Sequence, residues 1–328
     1  MAKLSKSRKS RRNGGHAPGK SHREGISVTE MASMFATEAQ AVEWFETWLW
    51  PTGEICCLLC GSTNAYKVKS GKPMPYRCRD CKRYFSIKSA TALKDSKLPL
   101  KKWAWAIYLE MTSLKGVSSM KLHRDLGVTQ KTAWFMLHRI REAFAEIATE
   151  FEGPVEVDET NVGGKRGNKP LSVRRELTGR GPVDMAKVIG MKDRKTNRVV
   201  VKVIDDKSAA SLHAFVNAHR QKGAKVYTDD ARGYIGLDNH ESVNHTVGEY
   251  VREMAHTNGI ESFWSMLKRG YTGVYHRMSV KHLERYALQF AGRHNVRDMD
   301  TVDQMQHVMA GLVGRRLMYN DLIEKEAA

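Results

Sequence analysis

Two Cys-x-x-Cys pairs constrain the fold of this 328-residue chain more than any other feature. Cys57 and Cys60 form the first pair, Cys78 and Cys81 form the second, and 17 residues separate the two pairs. Each pair can direct two thiolates to one tetrahedral ion, and the segment between them is long enough for a short hairpin. The spacing predicts a zinc ribbon. Its single Zn²⁺ would be structural, because four thiolates leave no open coordination position.

The fifth cysteine leaves one ligand open, since Cys56 adjoins Cys57 and could replace it. Tyr76 and Phe85 flank the second pair and are expected to supply the small apolar core that a ribbon needs beside its metal. Unrelated buried cysteines or a redox dithiol are the alternatives, but neither accounts for two pairs at this spacing. Metal-type cysteines also indicate a reducing cytoplasm rather than a secreted disulfide framework.

The charge balance points to an anionic partner. The chain holds 54 Lys and Arg against 36 Asp and Glu, a formal net charge of +18. This excess is typical of proteins that bind nucleic acid, and no apolar run approaches the length of a membrane-spanning helix. We therefore expect nucleic acid as the partner and no membrane association. Residues 1–25 carry eight basic side chains and no secretion signal, which predicts a disordered arm, either solvated or lying along phosphates.

A helical segment follows the ribbon. Ser118 can cap a short helix, Gly127 permits a turn, and Thr129 can cap the next helix. This order predicts a helix-turn-helix within residues 96–150, although a plain helical linker would show a similar period. Four side chains on the polar face of the second helix are predicted to contact DNA: Gln130, Lys131, Arg139 and Arg141.

The C-terminal half is predicted to be α/β. Alternation and apolar runs give the order β-β-β-α-β-α-β-α, in which three adjacent strands are followed by crossover connections. Such an order predicts a mixed five-stranded sheet with helices on its faces, as in the ribonuclease H-like fold. The predicted strands are Val155–Glu159, Ala186–Met191, Arg198–Ile204, Lys225–Thr228 and one near Ser242–Thr246, and the predicted helices are Ser208–Gln221 and about Thr257–Arg269.

Three acids would meet at one edge of this sheet. The strand of Asp158 would lie beside the strand that ends at Asp229, and the last helix can bring Glu261 to the same place. Neighbouring carboxylates repel each other unless cations hold them, and such hard oxygen ligands suit Mg²⁺ or Mn²⁺. Two such ions can activate a water or a 3′-hydroxyl and stabilise the leaving oxygen of a phosphodiester. Any one acid alone would more often be a solvated surface residue.

The last helix carries a second constellation. Thr257 can cap it, Asn258 and Glu261 are one turn apart, and Lys268 lies two turns beyond Glu261, so that the three share one face. A carboxylate and a lysine on one face can hold a metal and a neighbouring phosphate. An ordinary amphipathic helix with a Glu–Lys surface pair is the alternative.

These motifs together resemble the DDE insertion-sequence transposases with an N-terminal zinc ribbon, the IS fifteen-ninety-five group. The resemblance extends from about Thr37 to Arg297, with two departures: Asn161 stands where an aromatic residue is usual, and no Pro follows Cys57. The matching residues are Asp158-Glu159-Thr160-x-Val162-Gly163-Gly164-Lys165, Tyr227-Thr228-Asp229, His256-Thr257-Asn258-x-x-Glu261-Ser262-Phe263-Trp264, Lys268, Trp50-Pro51 and Arg293-x-Asn295.

The resemblance implies a DNA transposase. Asp158, Asp229 and Glu261 would be the magnesium-binding triad, with Asn258 a rival for the third position, and Lys268 would contact the transposon end. Arg269, next to Lys268, is also predicted to contact DNA. The enzyme would bind the terminal inverted repeats of double-stranded DNA, cut them and transfer strands into target DNA, as a homodimer or larger assembly. Such an enzyme is expected in the cytoplasm, associated with the nucleoid. The alternatives are a non-enzymatic DNA-binding regulator and a related nuclease such as a junction resolvase.

The sequence thus predicts a multidomain chain. The predicted divisions are a basic arm at 1–25, a zinc ribbon with a preceding helix at 26–95, the helix-turn-helix segment at 96–150, the ribonuclease H-like catalytic domain at 151–298 and a C-terminal helical tail at 299–328.

Overall fold

The computed structural model describes residues 24–145, 150–164, 166–177, 185–229, 232–243 and 257–324. All but the last two residues of the predicted basic arm lie outside these ranges, and so do Lys165 and His256 of the predicted motifs. None of the helices in these ranges is long and apolar enough to cross a membrane.

The N-terminal part contains two helices and a small antiparallel sheet: α1 (Val28–Met34), α2 (Glu38–Leu49), β1 (Ala65–Lys67), β2 (Tyr76–Cys78) and β3 (Tyr84–Phe85). Tyr76 and Phe85 are fully buried, and their rings stack with centroids 5.3 Å apart. The Trp50 ring meets Tyr76 edge-on at 5.0 Å. The predicted apolar core of the ribbon is therefore confirmed.

Three helices follow: α3 (Leu100–Thr112), α4 (Ser119–Leu126) and α5 (Gln130–Arg141). The hydroxyls of Ser118 and Thr129 each accept a hydrogen bond from the backbone three residues on, as predicted for N-caps. Gly127 ends α4 in the left-handed region, with φ of 57°, where a residue without Cβ meets no strain. The local geometry is that of a helix-turn-helix.

The C-terminal part is a five-stranded sheet with helices on both faces. Its elements are β4 (Val155–Val162), α6 (Leu171–Glu176), β5 (Ala186–Asp193), β6 (Val199–Ile204), α7 (Ala209–His219), β7 (Val226–Asp229), β8 (His240–Val243), α8 (Asn258–Gly270) and α9 (Val280–Asn295). The strand order is β6-β5-β4-β7-β8, with β4 antiparallel to β5 and parallel to β7. One buried cluster joins α7 to the sheet, and a separate cluster joins α8 and α9 to it. The predicted mixed sheet is confirmed.

One predicted helix is wrong. The expected order placed a helix between β7 and β8, but the described part of this link holds only a single 3₁₀ turn, Arg232–Tyr234. Ten residues separate the two strands, and two of these ten are glycines, Gly233 and Gly236. A link this short and rich in glycine cannot hold a stable α-helix.

The chain returns to its N-terminal half after α9. The final helices are α10 (Thr301–Leu312) and α11 (Tyr319–Ile323). Met305, Val308 and Leu312 of α10 belong to the same buried cluster as Trp103 of α3 and Tyr76 of the ribbon. The ribbon, the helix-turn-helix and the C-terminal tail therefore share one core, which ties their stabilities together.

A glycine in β5 allows α8 to lie against the sheet. A Cβ on Gly190 would come within 2.7 Å of the Trp264 ring and 3.1 Å of Ile260. We expect Gly190→Ala to lower the free energy of unfolding by about 1–3 kcal/mol, because the close-packed interface must shift to admit a methyl group. Gly164→Ala is the matched control, since a Cβ there meets nothing within 4 Å. Denaturant unfolding of both variants measures the difference, and equal stabilities would contradict this packing.

Candidate active site and DNA-binding elements

The four predicted zinc ligands converge. The Sγ atoms of Cys57, Cys60, Cys78 and Cys81 all lie within 4.8 Å of one another, and two of the pairs are 3.9 and 3.7 Å apart. Ligands at the usual Zn–S length of about 2.3 Å in a tetrahedron are about 3.8 Å apart, so the quartet fits a structural Zn²⁺. The Cys56 thiol instead donates to the Gly61 carbonyl at 3.1 Å. Cys57 is therefore the ligand of the first pair.

The sheet brings two of the predicted acids side by side. Val155 and Glu156 of β4 pair with Val226 and Tyr227 of parallel β7, and this register puts Asp158 level with Asp229. Glu261 lies in the first turn of α8, which packs against β4. An open cleft of about 670 Å³ is lined by Asp158, Glu261 and three basic side chains, Lys115, Lys268 and Arg269.

Asp158 lies in surroundings that disfavour its charged form. Partial burial and the neighbouring carboxylate of Asp229, with smaller effects of Glu159 and Glu261, raise the pKa of Asp158 to about 7. In the described part of the chain, the cysteine quartet alone has ligand atoms within 4.8 Å of one another, so the three carboxylates are more widely spaced than the thiols. The three groups offer carboxylate oxygens, and these are ligands that Mg²⁺ and Mn²⁺ prefer.

The raised pKa of Asp158 predicts how metal binding depends on pH. A metal ion must displace the proton below about pH 7, so its apparent affinity should fall about tenfold per pH unit there. Without metal, the folded state binds this proton more tightly than the unfolded state, so this contribution to stability is lost as pH rises through 7. Thermal unfolding should therefore show a larger Mn²⁺-induced rise in Tm at pH 8 than at pH 6. A rise that is the same at both pH values would contradict the assignment.

Glu159, the acid next to Asp158, is held differently. Its side chain is only 5% exposed, forms an ion pair with Lys207 at 3.0 Å, and accepts a hydrogen bond from the Tyr234 hydroxyl. These partners satisfy its charge inside the fold. Glu159 also lines the cleft, but its carboxylate is held by these two partners.

The two candidates for the third metal ligand, Glu261 and Asn258, differ in position. Glu261 and Lys268 line the cleft with Asp158, whereas Asn258 is exposed and does not line it. Thr257 is the N-cap residue of α8, as predicted, but its side chain accepts no capping hydrogen bond, because its ψ of 13° lies outside the extended region that side-chain capping needs. Its buried hydroxyl donates to Glu261 Oε1 at 2.9 Å.

Glu156, which the sequence analysis did not single out, holds the start of α8. Its carboxylate is 2% exposed, accepts the backbone N–H of Ile260 at 2.9 Å and forms an ion pair with Arg194 at 2.8 Å. A Cβ on Gly259 would come within 2.6 Å of a Glu156 carboxylate oxygen, so a larger residue there would have to displace that carboxylate. Glu156 therefore fixes the turn that carries Glu261. In the sequence, the signal for this role was an acidic residue inside a buried strand.

The helix-turn-helix joins the catalytic sheet through a buried polar network. Glu110 of α3 accepts a hydrogen bond from Gln289 and forms an ion pair with Arg293 at 3.4 Å, both on α9. Gln289 also accepts from Arg141 Nε at 2.5 Å and donates to the Tyr275 hydroxyl at 2.9 Å. Tyr275 ends a π-helical turn that directly follows α8 and lines the cleft with its Thr272 and Gly273. The network thus connects α3 and α5 to the cleft wall.

Burial corrects two predicted DNA contacts. Arg139 and Arg141 are 6% and 3% exposed, so neither side chain is available to a duplex. The Arg141 guanidinium lies 3.9 Å over the Tyr286 ring of α9, and Arg139 lies 4.3 Å over Phe135. The C-terminal end of the polar face of α5 is therefore buried. Helix amphipathicity alone does not show which surface other parts of the protein cover. Arg293 and Asn295, part of the motif match, also have structural roles: Asn295 exchanges two hydrogen bonds with the Val199 backbone.

Gln130 and Lys131 remain available at the start of α5. Both are exposed, and this is the end of a recognition helix that meets base edges in known helix-turn-helix proteins. We expect Lys131→Ala to weaken DNA binding severalfold with only a small change in Tm, since Lys131 is exposed and packs on the Tyr319 ring at 4.4 Å without being buried. Arg141→Ala should do the reverse, lowering Tm, because it leaves a buried cavity and an unpaired amide. Fluorescence anisotropy and thermal unfolding of both variants distinguish the two roles, and equal effects would contradict them.

Comparison with known proteins agrees with this arrangement. Residues 150–295 match the family model described as ISXO2-like transposase domain, and residues 36–84 match the model described as transposase zinc-ribbon domain. The chain belongs to the family of DDE insertion-sequence transposases that carry an N-terminal zinc ribbon. It is also similar to an uncharacterized protein in transposable element ISH50 of Halobacterium salinarum, with 28% identity over 248 residues, which cover 72% of this chain and 83% of that protein.

Proposed function

We propose that this transposase cuts the ends of its mobile element and joins the freed 3′-hydroxyls to target DNA, with Asp158, Asp229 and Glu261 as the metal-binding triad. The observation that carries the proposal is the strand register that sets Asp158 level with Asp229, beside a cleft that Asp158 lines together with Glu261 and Lys268. The acidic side chains lie beside the exposed basic side chains of Lys268 and Arg269. This combination suits a site that holds a divalent metal and a phosphate together.

The bound Mg²⁺ or Mn²⁺ would activate the attacking water or hydroxyl and stabilise the leaving oxygen. The protein's own groups orient the reactants. Thr257 holds one oxygen of Glu261, and Glu156 fixes the turn on which Glu261 stands. Lys268 and Arg269, exposed on the same cleft wall, would attract the phosphates on either side of the scissile bond and align it with the acids.

The DNA-binding modules would select the transposon ends. In this proposal Gln130 and Lys131 contact the terminal inverted repeat, and the zinc ribbon, which shares a core with the helix-turn-helix, extends that surface. Lys115, in the loop between α3 and α4, lines the cleft and would lead the bound duplex towards the acids. Two ends must be held together for insertion, so we propose that a homodimer or larger assembly forms on DNA.

A nicking assay tests the hydrolytic half of the proposal. The purified chain is incubated with a labelled duplex of the element's end, with Mg²⁺, Mn²⁺ or a chelator. We expect a metal-dependent nick at the end that leaves a 3′-hydroxyl, and binding that weakens steeply with salt, as the +18 charge implies. Tight, specific binding with no nick in either metal would instead support the non-enzymatic regulator.

A further inference from the structure

The connection between β4 and β5 is much longer than the sheet requires. The two strands are antiparallel neighbours paired up to Val162 and Ala186, and such strands can be joined by a two-residue turn. Here residues 163–185 intervene, with six Lys or Arg against two acids. The described residues 166–177, which include α6, are called the basic excursion below.

The basic excursion is not explained by the fold. Its helix α6 buries none of its residues, and Leu171 is 58% exposed. A six-residue helix has little stability of its own and normally depends on a buried apolar face. Arg174 and Arg175 are exposed, and neither forms an ion pair with another described residue. An unburied, positively charged element fits a polyanionic partner.

The basic excursion leaves the sheet at the edge where the acids lie. Asp158 is level with Asp229 at the end of β7, and β4 continues four residues further, to Val162. At about 3.3 Å per residue, this extension carries the chain about 13 Å past the acids. That distance is about four base pairs of duplex, since one strand advances about 3.4 Å per phosphate.

We propose that the basic excursion binds the phosphate backbone of target DNA beside the acids, an inference that rests on the proposed function. The ribbon and the helix-turn-helix share a core, and α6 packs substantially against neither of them. The excursion is therefore separate from the elements that would read the transposon end. A target of varying sequence must be held through its phosphates, which arginine binds with paired donors. Arg174 and Arg175 supply such groups.

The test compares two double variants, each of which loses two positive charges at a different place. Arg174→Ala/Arg175→Ala alters the excursion, and Arg315→Ala/Arg316→Ala removes the same charge from exposed residues after α10. A pre-nicked end duplex with a free 3′-hydroxyl is supplied with supercoiled plasmid, so that joining is measured without cleavage. We expect the excursion variant to join about tenfold less, with end binding and end cleavage within about twofold of wild type, and the control to join normally. Its salt slope for a random-sequence duplex should fall by about 1.8, for two lost phosphate contacts.

Three results would overturn the inference. Equal loss of end cleavage and joining would mean that the excursion holds the transposon end. A changed oligomeric state in sedimentation would mean that it contacts a second copy of the chain. Unchanged joining and unchanged binding of the random-sequence duplex would mean that it contacts no DNA. The duplex-binding measurement needs no catalysis, so it tests the excursion even where the wild-type protein neither cuts nor joins and the proposed function has failed.

Discussion

Replacing Asp158 with Asn is expected to lower end cleavage and joining by more than about a hundredfold, because loss even of an outer partner of a metal ligand commonly costs 10- to 100-fold. The variant removes the charge that the metal must neutralise but keeps the shape of the side chain. Binding of the end duplex should stay within about twofold, since Asp158 lies on the sheet and not in the helix-turn-helix. Rates of single-turnover cleavage and anisotropy with the same duplex give the two numbers.

Two comparisons make this result specific. Asp205→Asn, an exposed acid after β6, is the matched control and should cleave at the wild-type rate. Glu261→Gln should be as inactive as Asp158→Asn, whereas Asn258→Ala should retain most activity, because Asn258 does not line the cleft. Full cleavage by Asp158→Asn would contradict this triad. An inactive Asn258→Ala together with an active Glu261→Gln would also contradict it.

Replacing Cys57 with Ser is expected to abolish zinc binding and unfold the ribbon. Structural zinc contributes apparent binding free energies of about 10–16 kcal/mol in small zinc domains, far more than the ribbon's few buried residues can replace. Because the ribbon shares a core with α3 and α10, the melting temperature of the helix-turn-helix part should fall as well. End binding should drop by more than tenfold. Metal analysis, limited proteolysis and anisotropy measure the three effects.

Cys56→Ser is the matched control for this experiment. It removes a neighbouring thiol that bonds only to the Gly61 carbonyl, so zinc content and end binding should match those of wild type. A zinc-free Cys56→Ser, together with a zinc-loaded Cys57→Ser, would show that the first ligand has been assigned to the wrong cysteine.

Features written in local spacing could be predicted from the sequence. The cysteine quartet needs only two tight turns and a hairpin, and the helix-turn-helix needs only Ser118, Gly127 and Thr129 at its boundaries. Asp158 and Asp229 could be placed because strand order determines which strand ends are neighbours. Each of these inferences depends on a few residues and on general rules of chain geometry.

Features that depend on tertiary docking could not be predicted. Arg139 and Arg141 look like a DNA-binding face, but Arg141 packs on Tyr286 of α9 and Arg139 folds over Phe135, and the sequence of α5 does not show which part of it α9 covers. Lys115 lines the cleft with residues of β4 and α8, and Glu156 accepts a hydrogen bond from Ile260, 104 residues further along the chain. The return of α10 to the ribbon core is likewise a long-range event that periodicity alone cannot show.

The most direct test of the account is strand joining itself. A pre-nicked transposon-end duplex and a supercoiled plasmid are incubated with the purified chain in Mg²⁺, and the products are sequenced across the junctions. We expect 3′-ends of the element joined covalently to plasmid strands in wild type, and none in Asp229→Asn. The absence of any joined product in wild type, although the free 3′-hydroxyl is supplied, would contradict this account, because a nuclease on the same fold cuts without inserting.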